Sequence, residues 1–283
     1  MLPERGSAAN DTNNDTNSAD GLYSPRMFAI SPGRKALITG GASGFGFGVA
    51  ERLQAAGASV AIADIDASSV RAAAARLPGV LPVVMDVTDR DSITIGTAEA
   101  IDAFGGLDTL VNSAGVFEFR PFEEITEREW DWIVGVNLKG VFLACQIAMP
   151  HLRASGRGRI VNVSSDAGKK GYALISSYVA SKFGVVGLTE SLAAEFGPFG
   201  VTVNAVCPST VAETGMGQKV LGQKVELFDK SAERVLEDGA SSYPLRRLGT
   251  VADVADTIMF LISESAGWIS GESINIDGGN LSG

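Results

Sequence analysis

From Lys35 onward, short apolar runs alternate with longer stretches whose apolar positions recur every three or four residues. The apolar runs are 36–38, 59–63, 81–85, 107–111, 159–163, 201–206 and 273–276. Each has the length of a strand, and most hold consecutive apolar residues, as in a strand covered on both faces. The stretches between them predict helices over 45–56, 67–76, 92–104, 127–154 and 176–196, the first closed by Gly57. Strands alternating with helices imply parallel pairing through right-handed crossovers. The expectation is a single α/β domain over 34–283, doubly wound, with a mostly parallel central sheet of about seven strands and helices on both faces. The rhythm breaks at 209–245. There Met216, Val220, Leu221, Leu227 and Phe228 set an apolar side against Lys219, Lys224, Glu226 and Asp229. That segment reads as an inserted helical lid.

Residues 1–33 are Asn-rich, hold three prolines and show little periodicity, so they read as a flexible tail. The tail has no basic stretch followed by an apolar one, and so no secretory leader pattern. Lys and Arg number 23 against 33 Asp and Glu, a net charge of −10 with no basic stripe. Such a chain is poorly suited to nucleic acid or to an anionic membrane surface. No apolar run approaches the ~20 residues that span a bilayer. Cys145 and Cys207 fit burial in a reducing, cytoplasmic compartment. A single histidine, His151, excludes most histidine-based metal sites, and no metal is expected.

The first strand runs into Thr39-Gly40-Gly41-Ala42-Ser43-Gly44-Phe45-Gly46, followed by a helix. Glycines there let the backbone turn tightly and approach a pyrophosphate, with free N–H groups of the helix start facing it. Asp64 ends the second strand, 20 residues after Gly44. A carboxylate in that place accepts the adenosine ribose hydroxyls and repels a 2′-phosphate, which favours NAD over NADP. Asp86-Val87 and Asn112-Ser113-Ala114-Gly115 end the third and fourth strands on the same edge of the sheet, the first pair where an adenine would lie. These features together indicate a Rossmann-type nucleotide site.

Ser164-Ser165 follows the fifth strand, and Tyr178 and Lys182 lie 13 and 17 residues past Ser165. Spaced by four on a helix, the phenol and the ammonium share a face. A neighbouring cation favours phenolate and makes Tyr178 a usable general acid or base.

With these motifs, and with Asn137, Asn204 to Pro208 and Ile276-Asp277-Gly278-Gly279, the sequence resembles the short-chain dehydrogenase/reductase family over about 35–279. It departs from the family pattern at Ser113, at Ser209 after Pro208, and in a Thr214 placed one residue late. The resemblance implies Ser165, Tyr178, Lys182 and Asn137 as catalytic residues. Ser165 would hold the substrate oxygen, Lys182 would lower the Tyr178 pKa and hold a ribose, and Asn137 would anchor a proton-relaying water. Implied cofactor contacts are Gly40, Ser43, Gly44, Phe45, Gly46, Asp64, Ile65, Asp86, Val87, Asn112, Ala114, Gly115, Pro208, Val211 and Thr214, beside Tyr178 and Lys182. The Val206 backbone and the Thr214 hydroxyl would meet the nicotinamide carboxamide. Phe117, Phe119, Asp166 and Ala167 are candidates for the substrate wall.

The expected activity is NAD-dependent interconversion of a small-molecule secondary alcohol and its ketone. An acyl-carrier-linked 3-ketoacyl reductase and a weakly active NAD-binding scaffold are the alternatives. The resemblance further implies a homotetramer built on 127–154, 176–196 and the C-terminal segment.

Overall fold

The structure, a computed structural model, describes residues 30–281. Most of the expected tail, residues 1–29, lies outside the described residues. Its last residues belong to the fold instead. Ile30 is buried, the Ser31 hydroxyl donates to Glu264 at 2.8 Å, and the fully buried Arg34 donates to Glu264 and to the carbonyls of Arg157 and Ile262.

Seven strands form one parallel sheet: β1 (Lys35–Thr39), β2 (Ser59–Asp64), β3 (Leu81–Val84), β4 (Thr109–Asn112), β5 (Arg159–Val163), β6 (Thr202–Pro208) and β7 (Ser273–Ile276). Their order is β3-β2-β1-β4-β5-β6-β7, with every pairing parallel. The order reverses between β1 and β4, which opens a crevice at the carboxyl ends of those strands.

Helices cover both faces because most strands carry apolar residues on both. One layer holds α1 (Gly44–Ala55), α2 (Ala67–Ala75) and a C-terminal helix, Val251–Ile262. The other holds α3 (Arg90–Phe104), a long helical run over 127–154 and α6 (Ser176–Phe196).

The long run is not one regular helix. It comprises α4 (Glu127–Val134), a π-helical turn (Gly135–Lys139) and α5 (Gly140–Ala154). Glu127–Ala154 is long and apolar enough to cross a membrane by length and composition, contrary to the reading of the raw sequence. Half of its apolar window is buried within this fold, as in a core helix. His151 sits exposed in its last turn, and Trp130 and Trp132 are both about 40 % exposed, at 39 % and 41 %.

The expected lid is two helices, α7 (Gly215–Phe228) and α8 (Ala232–Ser242), neither with a buried residue. The C-terminal helix, α9 (Val251–Ile262), was not anticipated from the pattern. A capping box of Thr250 and Asp253 starts it, and Arg247 grips Asp253 at 2.7 and 2.9 Å.

Candidate active site

The nucleotide edge is built from backbone. Gly40 and Gly46 are needed for close approach: a Cβ on Gly40 would lie 2.7 Å from the Ala114 backbone, and one on Gly46 would lie 2.4 Å from the Gly40 carbonyl. Gly44 has φ +53, and a Cβ on it would make only an ordinary contact with the Thr214 side chain. Ser43 precedes α1 in extended backbone with its side chain making no cap bond, and the first turn of α1 carries no acid. That helix start keeps its N–H groups and positive dipole end available to an anion. The Thr39 hydroxyl accepts from Ser113 N and Ala114 N at 3.2 and 3.3 Å, tying the ends of β1 and β4 together. Glycines admitting close approach, an open helix N-terminus and a carboxylate on the next strand end fit a dinucleotide.

The other expected cofactor residues lie on the same edge, with differing freedom. Asp64 takes one weak contact, from Asp66 N at 3.3 Å, and Ile65 beside it is exposed. Asp86 holds the turn after β3 by accepting from Thr88 N and Oγ1 at 2.8 and 2.7 Å, and Val87 in that turn packs on Gly140. The Asn112 side chain is turned into the core, donating to Asn162 at 2.8 Å and to Cys145 Sγ at 3.3 Å. Burial pushes the Cys145 thiol up to about 12, against the Asn112 hydrogen bond that lowers it, so it is an inert packing group. Both cysteines are free and buried.

Two expectations for the nicotinamide side meet no free atom. Val206 is fully buried inside β6, which continues to Pro208, and its carbonyl already accepts from Ser164 N at 2.8 Å. The Thr214 hydroxyl caps α7, accepting from Gly217 N at 2.9 Å and donating to Val211 O at 3.1 Å. What Thr214 turns toward the glycine loop is its methyl, 3.5 Å from the place of a Cβ on Gly44.

The reacting residues converge beside this edge. Ser165 opens a short turn, Asp166–Gly168, held on α6 by the Ser164 hydroxyl, which donates to Lys182 O at 3.0 Å. Tyr178 is buried with its ring edge-on to Phe117 at 4.9 Å, and Phe117 meets Phe119 in the same way. Lys182 is buried, and its Nζ lies 5.5 Å from the Tyr178 ring centre while donating to Val163 O at 2.9 Å. Asn137 sits in the π turn, fully buried. Its Oδ1 accepts from Val116 N at 2.8 Å and its Nδ2 donates to Val116 O and to Ser181 Oγ. Both polar atoms of that side chain are therefore engaged in fixing the loop after β4. A Cβ on Gly115 would fall 3.4 Å from Asn137 Oδ1 and 3.8 Å from both Lys182 Nζ and Met216 Cε, so this loop lies where catalytic helix and lid meet.

Electrostatically, the chain differs from the sequence expectation. Burial pushes the Tyr178 phenol up to about 12, against a hydrogen bond with Ser165 that lowers it, and the Asp166 charge pushes the same way as burial. Burial also brings Lys182 down to about 8. The ammonium that was to acidify the phenol points instead at the Val163 carbonyl, because a buried cation needs an acceptor when none else is present.

A cavity of about 400 Å³ lies over these groups. Phe45, Phe117, Phe119, Ile175, Met216 and Val220 supply its apolar wall; Ser165, Asp166, Tyr172, Ser209, Tyr243 and Asn280 supply a polar one. Ala167, Tyr178, Pro208, Val211 and Thr214 also line it. The lid contributes Met216 and Val220 as expected, but Leu227 and Phe228 are half exposed, and Lys224, expected on the wet side, lines the cavity. Tyr172, Tyr243 and Asn280 carried no recognisable local motif. Among the described residues no group of three or more His, Cys, Asp or Glu is placed to hold a metal ion.

A doubly wound parallel sheet with a glycine turn, an open helix N-terminus and an adjacent Ser/Tyr/Lys cluster defines a nicotinamide-dependent oxidoreductase of the Rossmann class. The chain belongs to the short-chain dehydrogenase/reductase family. The family model described as enoyl-(acyl carrier protein) reductase matches residues 40–280. A sorbitol dehydrogenase of Cereibacter sphaeroides is 36% identical over 254 residues, covering 88% of this chain and 97% of its own. A 3-oxoacyl-[acyl-carrier-protein] reductase of Thermotoga maritima is 38% identical over 251 residues, covering 87% and 97%. Among solved structures, a variant of actinorhodin polyketide ketoreductase with NADPH superposes with a TM-score of 0.85 at 31% identity, covering 88% of this chain and 97% of its own.

Proposed function

We propose that this protein is an NAD(H)-dependent oxidoreductase that interconverts a secondary alcohol and its ketone, with Tyr178 as general acid and base. The observation that carries the reading is the meeting of Ser165 and Tyr178 in one cavity, with Lys182 behind them and the glycine turn at its rim. The bound nicotinamide supplies the hydride acceptor in oxidation and the donor in reduction. The chain positions the substrate and moves the proton. In reduction the Tyr178 hydroxyl gives its proton to the carbonyl oxygen as the carbon receives hydride. In oxidation the phenolate takes the hydroxyl proton as the carbon loses hydride.

Ser165 Oγ holds the reacting oxygen and stabilises its developing charge. Burial keeps Tyr178 protonated in the free chain, the form suited to ketone reduction. Oxidation needs Lys182 to turn from the Val163 carbonyl toward the phenolate, where its cation favours the charged form. Asn137 is a positioning residue, clamping Val116 next to the cavity-lining Phe117. The segment 209–245 closes over the substrate and excludes water. Two free, buried thiols suit the cytoplasm. Half-exposed Phe142 and Phe183 on α5 and α6 suit a homotetramer, which light scattering would test.

Asp64 supports NAD as the preferred cofactor, since its second oxygen is unclaimed and would repel a 2′-phosphate. The test is a panel of secondary alcohols and ketones with both cofactors, read by nicotinamide absorbance. Turnover with NAD(H) is expected, with NADP(H) at least tenfold poorer. Asp64→Ala should erase most of that preference, since a charge-assisted hydrogen bond is worth about 1.5–3 kcal/mol.

Acyl-carrier-linked ketoacyl reduction is the second reading, favoured by the similarity to the Thermotoga maritima reductase. NADPH preference together with turnover of acyl-carrier substrates alone would replace the first reading with this one.

A further inference from the structure

The cavity is two-sided, and its polar side is organised around a single carboxylate that the proposed chemistry does not use. Asp166 Oδ2 accepts from Tyr172 Oη at 3.0 Å, Ser209 Oγ at 2.7 Å and Asn280 Nδ2 at 3.1 Å. Asn280 also donates to Tyr172 Oη at 3.0 Å. The one proton of Ser209 goes to Asp166, so at 2.8 Å the Tyr243 hydroxyl donates to Ser209. Oδ2 is therefore saturated by donors from three separate parts of the chain, which lock the carboxylate in place. Oδ1 has one donor, Ser165 Oγ at 3.0 Å, and keeps acceptor capacity. That capacity sits next to the hydroxyl proposed to hold the reacting oxygen.

We infer that Asp166 reads a second hydroxyl on the carbon adjacent to the reacting one, so that the substrate class is a neutral vicinal diol, or its hydroxyketone, bearing an apolar substituent. The inference rests on the proposed oxidoreductase reading and deepens it. The 3.0 Å between Ser165 Oγ and Asp166 Oδ1 is about the separation of neighbouring oxygens in a gauche vicinal diol. Ser165 turns its one proton from Oδ1 to a substrate oxygen beside Tyr178, and the second substrate hydroxyl donates to Oδ1 in its place. A hydrogen or methyl in the second position gives Oδ1 no substrate donor when Ser165 turns to the reacting oxygen, and a carboxylate sets like charges together, both costly. Phe117, Phe119, Ile175, Met216 and Val220, packed in one cluster, receive carbon and offer a further hydroxyl no side-chain partner. Ser209 stands where the family pattern has glycine, so one grip on Oδ2 comes from a residue by which this chain departs from that pattern.

The experiment compares a vicinal phenylpropanediol, the two secondary phenylpropanols that each lack one of its hydroxyls, and a vicinal butanediol that lacks the ring. Each is oxidised with NAD or NADP by the full chain. The expected result is kcat/KM for the phenylpropanediol at least tenfold above both phenylpropanols and above the butanediol. Asp166→Asn, which keeps shape but presents an amide, should bring the diol-to-monool ratio down at least tenfold. Ser209→Gly, which removes one grip on Oδ2 and retains the carboxylate, should lower that ratio about threefold and still reports if the Asn variant fails to fold. Equal turnover of diol and monools, or a ratio unmoved in a folded Asp166→Asn or Ser209→Gly variant, overturns the inference while the oxidoreductase reading stands. No turnover of any probe, or of the matching ketones, with either cofactor overturns both.

Discussion

The two halves of the crevice are built from different materials. The nucleotide half, at the ends of β1 to β4, is backbone: Gly40 and Gly46 in van der Waals contact with main chain, and a helix start with free N–H groups. The substrate half, above β5 to β7, is side chain: Ser165, Tyr178 and Lys182 with an aromatic wall, a lid and a carboxylate gripped by Tyr172, Ser209 and Asn280. Backbone sites tolerate one residue type at each position because a Cβ has nowhere to go. Side-chain sites can be re-equipped one residue at a time without moving the sheet beneath. The difference explains how relatives that share this fold carry names as unlike as sorbitol dehydrogenase and ketoacyl reductase.

The largest effect expected from that contrast is in the side-chain half. Tyr178→Phe removes one oxygen and leaves the ring packed edge-on against Phe117. Turnover should fall about 10²- to 10⁴-fold, the range of general acid–base catalysis. Cofactor affinity, read by fluorescence titration, should fall far less than turnover. A parallel loss of both would make the two halves one unit.

Gly46→Ala is the converse experiment. The added methyl would lie 2.4 Å from the Gly40 carbonyl, so the loop must shift. A cost of about 1–3 kcal/mol is expected from overpacking, seen as a lower unfolding midpoint together with weaker cofactor binding. Gly44→Ala makes an ordinary contact with Thr214 and suffers only from φ +53, and should cost about 1 kcal/mol. A Gly46→Ala variant no worse than Gly44→Ala would show that the nucleotide half is less rigid than its contacts imply.

Lys182 gives a pH test of the boundary between the halves. Its folded pKa is brought down to about 8, below the ordinary lysine value of 10.5. Between those values the unfolded chain binds the extra proton, so stability rises with pH across that window. Cys145 and Cys207 act oppositely from about pH 9, because burial raises both thiols and the unfolded chain loses its protons first. Lys182→Met isolates the lysine. From about pH 7.5 to 9 the parent's urea midpoint should rise relative to that of the variant. Parallel profiles would mean that Lys182 is solvated in solution.

The contrast between backbone and side chain also marks how far the sequence could be read. The strands of 59–63 and 273–276 and the helix of 176–196 were legible because their signals are local: short apolar runs for the strands, and a long proline-free stretch between two of them for the helix. The glycine turn, Asp64 and the Tyr178–Lys182 spacing were legible for the same reason. Val251–Ile262 offered a capping box and apolar positions at Val254, Ala255, Ile258, Leu261 and Ile262, a signal present but masked by the irregular segment before it. The π turn around Asn137 has no period of its own; it exists where Asn137 clamps Val116, 21 residues away. Asn280 reaches Asp166 across 114 residues, a closeness only the strand order creates. Val206 was read as a strand end when the strand runs to Pro208, and those two further residues place its backbone inside the sheet, its carbonyl accepting from Ser164 N.

The smallest expected effect lies at Thr214, where the two halves touch. Its hydroxyl caps α7, and its methyl faces the glycine loop. A threonine that served the cofactor through its hydroxyl and one that served the lid would both look essential to an alanine scan. Thr214→Val and Thr214→Ser separate the atoms instead. Valine keeps a methyl toward Gly44 and deletes the cap, at about 1 kcal/mol. Amide hydrogen exchange over Gly215–Phe228 should then speed up several-fold and KM for the alcohol rise, with cofactor affinity little changed. Serine keeps the cap and should leave that exchange as in the parent. If valine weakens the cofactor more than it loosens the helix, the hydroxyl leaves its cap when the crevice fills, and the lid is coupled to the nucleotide through a single oxygen atom.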